Sequence, residues 1–260
     1  MATISSEDWG ALSPGSDARA RLWTLASESP GGIRVTVCSV GAAVTSVLVP
    51  VGGDGGGVRD VALGYGSLDA YPRFDCGALV GNGKQNFGTA VGRCANRVKD
   101  GSFEIDGTAY CLGKNNGPNH LHGGSGGFFS RNFACFDERV ADGAATLTLA
   151  YRSQNGEEGY PGAVNVFVTY TVKEKSLTMK FSADNATSPT LVSMTSHVYW
   201  NLSGHNSGST VAGHKLFMPN CKSYTATDDS LAISGIIESV LGTKYDFTDT
   251  FRPLGESPGL

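Results

Sequence analysis

Alternation of apolar and polar residues with a period of two dominates the chain. In Val164–Val172 the residues Val164, Val166, Val168, Tyr170 and Val172 alternate with Asn165, Phe167, Thr169 and Thr171, a spacing that puts the first set on one face of a sheet. Similar alternation marks Thr146–Tyr151 and Leu177–Phe181, while Ile33–Val40 and Ala43–Val49 are rich in the Val and Thr that strands favour. Between these stretches stand Asp100-Gly101, Asp106-Gly107, Asn116-Gly117, Asp142-Gly143 and Asn155-Gly156, pairs that take positive φ readily and so reverse the chain. Asp100–Tyr110 reads as a hairpin flanked by a further turn. No stretch of a dozen residues keeps an apolar stripe of helical period. The pattern predicts an all-β fold, a sandwich or barrel of short strands, with one helical turn near Leu68–Tyr71.

Composition agrees with many tight turns. The 260 residues include 36 glycines, about twice the usual ~7%, and the glycines follow no fixed period. With 40% hydrophobic residues and a net charge of −4, a packed core is expected and disorder is not. No run of Lys and Arg offers the phosphate-neutralising surface that nucleic-acid binding needs, so no nucleic-acid partner is expected. The longest apolar stretch, Ala42–Val51, is broken by Thr45, Ser46 and Pro50, too short and too polar to span a membrane. Glu7 and Asp8 in the first ten residues argue against a signal peptide, which makes the cytoplasm the expected compartment. Cys38, Cys76, Cys94, Cys111, Cys135 and Cys221 form no C-x-x-C pair and are expected as reduced, buried thiols.

Two loops invite comparison with phosphate cradles. Gly52–Gly57 reads as a surface hairpin tip and Gly81-Asn82-Gly83-Lys84 as an insertion, but neither has the spacing of a P-loop or of a dinucleotide fingerprint. No linker divides the chain, so 1–260 is expected to form one domain.

Three clusters concentrate chemically capable residues: Gly92–Arg97, Asn119–Gly124 and Ser196–Leu202. His120 and His122 are two apart, which on a strand would project both rings from one face. A metal would need further ligands; His197, His205 and His214 are available but no carboxylate stands at ligand spacing, so no metal is expected. His197, set among Tyr199, Trp200 and Asn201, can present an imidazole to a ligand that stacks on aromatic rings. A sugar is such a ligand. Arg97 and Asn96 add rigid donors suited to hydroxyls.

Taken together the clusters resemble the aldose 1-epimerases, or galactose mutarotases, whose G-R-x-x-N-R-I, N-x-L-H-G-G, G-E-E-G-Y-P-G and N/Q-H-x-Y-[FW]-N-L segments correspond in order to Gly92–Val98, Asn119–Gly124, Gly156–Gly162 and Ser196–Leu202. The resemblance runs from about Arg34 onward. It implies a large antiparallel β-supersandwich and interconversion of the α and β anomers of a hexose such as galactose or glucose, without a cofactor, in a monomer or homodimer. It carries His197 over as the general acid at the ring oxygen and His122 as a second histidine there. Asn96 and Arg97 would hold hydroxyls, Tyr199 would line the site, and no role carries over to His120. A phosphorylated hexose would require more positive charge, for which Lys84 and Arg131 are the candidates.

The family's glutamate base and its aspartate in a G-F-D-H-N segment do not occur before Leu260. The domain is therefore expected to lack its C-terminal strands. The alternative function is a non-catalytic module binding a carbohydrate or sugar phosphate.

Overall fold

The computed structural model describes residues 1–52, 56–72 and 85–256. The first sheet is antiparallel and runs in chain order: β1 (Ala2–Ala11), β2 (Arg19–Ser27), β3 (Arg34–Cys38), β4 (Ala43–Pro50) and β5 (Val58–Asp60). Short elements follow, β6 (Ala90–Val91), β7 (Arg97–Val98), β8 (Ser102–Ile105), β9 (Thr108–Cys111) and β10 (His120–Leu121). The second large sheet joins β11 (Ala134–Ala141), β12 (Ala144–Ser153), β13 (Val164–Lys173) and β14 (Ser176–Asp184), again antiparallel and in order. Beyond it lie β15 (Thr195–Ser196), β16 (Lys215–Leu216), β17 (Ser223–Thr227), β18 (Ile233–Ser239) and β19 (Arg252–Pro253).

The alternation predicted for Val164–Val172 is the burial pattern of β13: Val164, Val166, Val168, Tyr170 and Val172 are buried and the residues between them are not. This set packs with Leu147 and Leu149 of β12 against Trp23, Leu25, Val35, Val37, Val44 and Val47 of the first sheet, so the two sheets share one apolar layer. Each such aliphatic side chain stabilises the fold by about 1.5–3 kcal/mol on full burial. The Tyr170 hydroxyl, enclosed in this layer, donates to the Ala42 carbonyl.

Turn chemistry follows the residue pairs. Asp106 and Gly107 (φ 50° and 77°) join β8 to β9, and Asp142 and Gly143 (φ 52° and 73°) join β11 to β12, the double positive φ of a two-residue hairpin. Every helical segment among the described residues is a single 3-10 turn, including Leu68–Ala70 where one was predicted. None is long and apolar enough to cross a membrane.

Two expectations need correction. Cys38 and Cys94 are buried, but Cys221 is only half-buried and Cys111 and Cys135 are exposed, the latter two on strand faces that no second layer covers among the described residues. The alternation also passes over the hairpin of β1 and β2 and the ribbon of β17 and β18. Gly81–Lys84, Cys76 and the tip of Gly52–Gly57 lie outside the described residues.

Candidate functional site

Two strand pairings carry the histidines together. β15 pairs with β6, and the ladder continues past its end: His197 N–H donates to the Thr89 carbonyl at 2.9 Å and Gly88 N–H to the His197 carbonyl at 3.0 Å. β10 pairs with β7, placing Leu121 opposite Arg97, and there too the contact runs on, with His122 N–H donating to the Asn96 carbonyl at 3.1 Å. The pairing ends as His122 takes φ 55° and Asn96 φ 61°. Gly123 completes the turn with φ 82°; a Cβ there would stand 1.8 Å from the Gly92 carbonyl oxygen, so only glycine lets the two loops approach.

The alternation that would set His120 and His122 on one face therefore fails. Positive φ at His122 breaks the strand, and the two rings go separate ways. His120 is fully buried, its Nδ1 2.6 Å from the Gly113 carbonyl oxygen and its ring edge-on to Tyr160. His122 instead meets His197, the ring centroids 5.1 Å apart and the planes at 85°. Both of these rings are half-buried, sealed off in neither case. His197 also lies 5.0 Å from Tyr199, which is 41% exposed, and the aromatic row continues through Phe87 to Tyr65 at 5.4 Å and 5.0 Å.

The protonation of His122 is set by its surroundings. The backbone N–H of Asn96 donates to His122 Nδ1 at 3.0 Å, so in the neutral ring the proton sits on Nε2. Burial first, then the neighbouring His197 and Arg97, push its pKa down to about 4. Near neutral pH His122 is thus an uncharged N–H donor, unable to accept a proton at Nδ1 without losing the Asn96 bond. Among the described residues the charged or chargeable neighbours that act on it are His197 and Arg97, neither of them a carboxylate. Arg97 is held, among the described residues, by neutral oxygens: Nε donates to Asn116 Oδ1 at 2.9 Å and Nη1 to Asn96 Oδ1 at 3.2 Å.

The Gly156–Gly162 segment braces this region from behind. Arg93, 2% exposed, spends its donors on Ser153 Oγ, Thr190 Oγ1 and the carbonyls of Pro161 and Gln154, at 2.7–3.0 Å. Glu157 accepts from Tyr151 Oη at 2.6 Å and from the Ser153 hydroxyl, and pairs with Arg131 at 3.0 Å. Glu158 accepts from Gly126 N–H at 2.9 Å, gripping the loop after His122.

Of the residues singled out in the sequence, His122, His197, Asn96, Arg97 and Tyr199 are linked by contact: His122 meets His197, His197 meets Tyr199, and Asn96 bonds both His122 and Arg97. Arg131 does not join them, since Glu157 and the Gly126 carbonyl occupy it, and Lys84 lies outside the described residues. His205 and His214 stand elsewhere: His205 Nδ1 faces the Ala62 carbonyl, and His214 accepts from Leu202 N–H through Nε2. Phe87, Tyr65 and Asn116 escaped the sequence reading. Phe87 and Tyr65 belong to no histidine cluster, and Asn116 presents itself as half of an ordinary turn pair.

The aldose 1-epimerase family model matches residues 22–258. Galactose mutarotase of Bos taurus is 35% identical over 215 residues, 82% of this chain and 57% of that protein. Aldose 1-epimerase of Escherichia coli (strain K12) is 32% identical over 230 residues, 87% of this chain and 60% of that protein. The crystal structure of the GalM/aldose epimerase homologue from C. elegans superimposes with a TM-score of 0.74 at 31% identity, covering 88% of this chain and 64% of that one. The chain therefore spans well under two thirds of the length of these curated relatives.

Proposed function

Because the chain belongs to the aldose 1-epimerase family, we propose that it serves the interconversion of the α and β anomers of a hexose, galactose or glucose being the first candidates. The observation that carries this reading is the pair of imidazoles, His122 and His197, brought from distant strands to 5.1 Å.

Ring opening requires that the anomeric hydroxyl lose its proton to a base while the C1–O5 bond breaks and O5 gains a proton. Rotation about C1–C2 then exposes the other face of the aldehyde, and the same steps run backwards. In this reading His197 delivers the proton to O5, and His122, fixed as an Nε2–H donor, holds that oxygen in place. Arg97 and Asn96 hold hydroxyls, and Tyr199 with Phe87 offers an aromatic wall to the C–H face of the sugar. The base is assigned to none of these residues. Groups with a pKa near the working pH suit such proton transfers, each contributing about 10²–10⁴-fold.

Polarimetry on freshly dissolved α-galactose and α-glucose tests the proposal. Mutarotation faster than buffer, reduced about 10²–10⁴-fold by His197→Ala, is the expected result; a rate equal to buffer overturns it. The second reading, a sugar-binding module without turnover, is favoured by the neighbours acting on His122, which among the described residues are His197 and Arg97 and no carboxylate. It predicts sugar-dependent change in the fluorescence of Trp200, 45% exposed beside Tyr199, with no gain in mutarotation rate.

A further inference from the structure

We propose that Asn116 is the positioning residue that aims the Arg97 guanidinium at the ligand, a role resting on the sugar-binding reading of Arg97 above. A free arginine side chain loses up to about 2 kcal/mol of rotamer freedom when it is immobilised, so a site gains by fixing it before the ligand arrives. Here the fixing is done by two side-chain amides. Nε donates to Asn116 Oδ1 at 2.9 Å and Nη1 to Asn96 Oδ1 at 3.2 Å. The two bonds fix the planar fork at Nε and Nη1 and, among the described residues, leave the second hydrogen of Nη1 and both on Nη2 open to a ligand.

The chemistry of the holders matters. Among the described residues Arg97 has no carboxylate partner: its bonds go to the amide oxygens of Asn116 and Asn96. An ion pair would orient the group equally well but would also neutralise it. Amide oxygens orient it and leave the full positive charge available to ligand oxygens.

Asn116 is itself held firmly. It exchanges both backbone hydrogen bonds with Asn119, each 3.1 Å. Asn119 is completely buried, donates from Nδ2 to the Ser230 carbonyl at 3.0 Å and to Ser230 Oγ at 2.9 Å, and accepts from Asp100 N–H at 3.0 Å. Ser230 in turn donates to Asp228 Oδ1 at 2.6 Å, and Asp228 pairs with Lys99 Nζ at 2.9 Å. The turn that carries Asn116 is thus pinned by the 228–232 turn from beyond the second sheet, while Arg97 sits on the strand β7 that pairs with β10.

Two readouts test the assignment. In a ¹⁵N spectrum the Arg97 Nε–H resonance should be protected from exchange in the unmodified chain and in Asn116→Asp, which keeps the acceptor, and should lose protection in Asn116→Ala. In polarimetry Asn116→Ala should raise the galactose KM about tenfold with little change in kcat. In an Arg97→Lys background, which has no Nε–H to hold, the same change should have no further effect. Asn116→Ala leaving KM within twofold while activity is present overturns the positioning role and leaves the anomer-interconversion reading standing. Loss of Nε–H protection in Asn116→Ala, together with no mutarotation by the unmodified chain, overturns the function and leaves the hold on Arg97 intact.

Discussion

His122 enters the site through its backbone. Its φ of 55° and the 82° of Gly123 turn the loop so that the imidazole faces His197 and the Asn96 N–H reaches Nδ1. Gly123→Ala would force a Cβ to within 1.8 Å of the Gly92 carbonyl oxygen, so urea denaturation should show a loss of about 1–3 kcal/mol or more and sugar binding should fall with it. The imidazoles of His120 and His122, one buried and one half-buried, also leave a trace in the pH dependence. His122 is depressed from 6.5 to about 4, and His120 is lowered too, by burial in the first place. A depressed imidazole means that the unfolded chain binds its proton before the native one does, so stability declines as pH falls from about 6.5 toward 4. Urea midpoints taken across that window should fall on acidification, and His122→Asn should flatten the decline. At this scale the ordered motifs pointed to residues that the fold brings together, His122 and His197 among them, but not to the positive φ that separates His120 from His122. Period-two reasoning assumes a strand that continues, and this one stops at Leu121.

At the scale of elements, legibility followed burial. β13 was readable because one face lies wholly in the core, which forces strict alternation. β1 runs Ala-Thr-Ile-Ser-Ser-Glu-Asp-Trp-Gly-Ala at the edge of its sheet with mostly exposed or half-exposed residues; it is a strand because β2 pairs with it, and an edge strand of polar residues carries little apolar period. The Gly156–Gly162 turn was visible as a motif but not as a brace, since its purpose depends on Arg93 and Arg131, which the fold alone brings to it. Arg93→Met should destabilise the protein by about 3–5 kcal/mol in urea denaturation, because the carbonyls of Pro161 and Gln154 and the hydroxyls of Ser153 and Thr190 would lose a buried charged donor.

For the molecule as a whole, the apolar layer between the two large sheets contrasts with the ribbon of β17 and β18. Among the described residues these strands pair with one another and every residue of β18 is exposed, Ile233, Ile236 and Ile237 at 50%, 59% and 72%. An exposed apolar ribbon promotes association. Light scattering should show concentration-dependent self-association of this chain, and Ile236→Lys combined with Ile237→Lys should suppress it without altering the urea midpoint of the core. The ribbon could not be read from the sequence, since isoleucines there look like core and nothing local says that no layer covers them.

The tie between Asn119 and Ser230 has a consequence for how the chain is made. The two residues are 111 positions apart, and at roughly 5–20 residues per second of synthesis the clamp leaves the ribosome about 5–20 s after the loop it secures. During that interval the loop bearing His122 is made but unfastened, so its final hold waits on a serine far downstream.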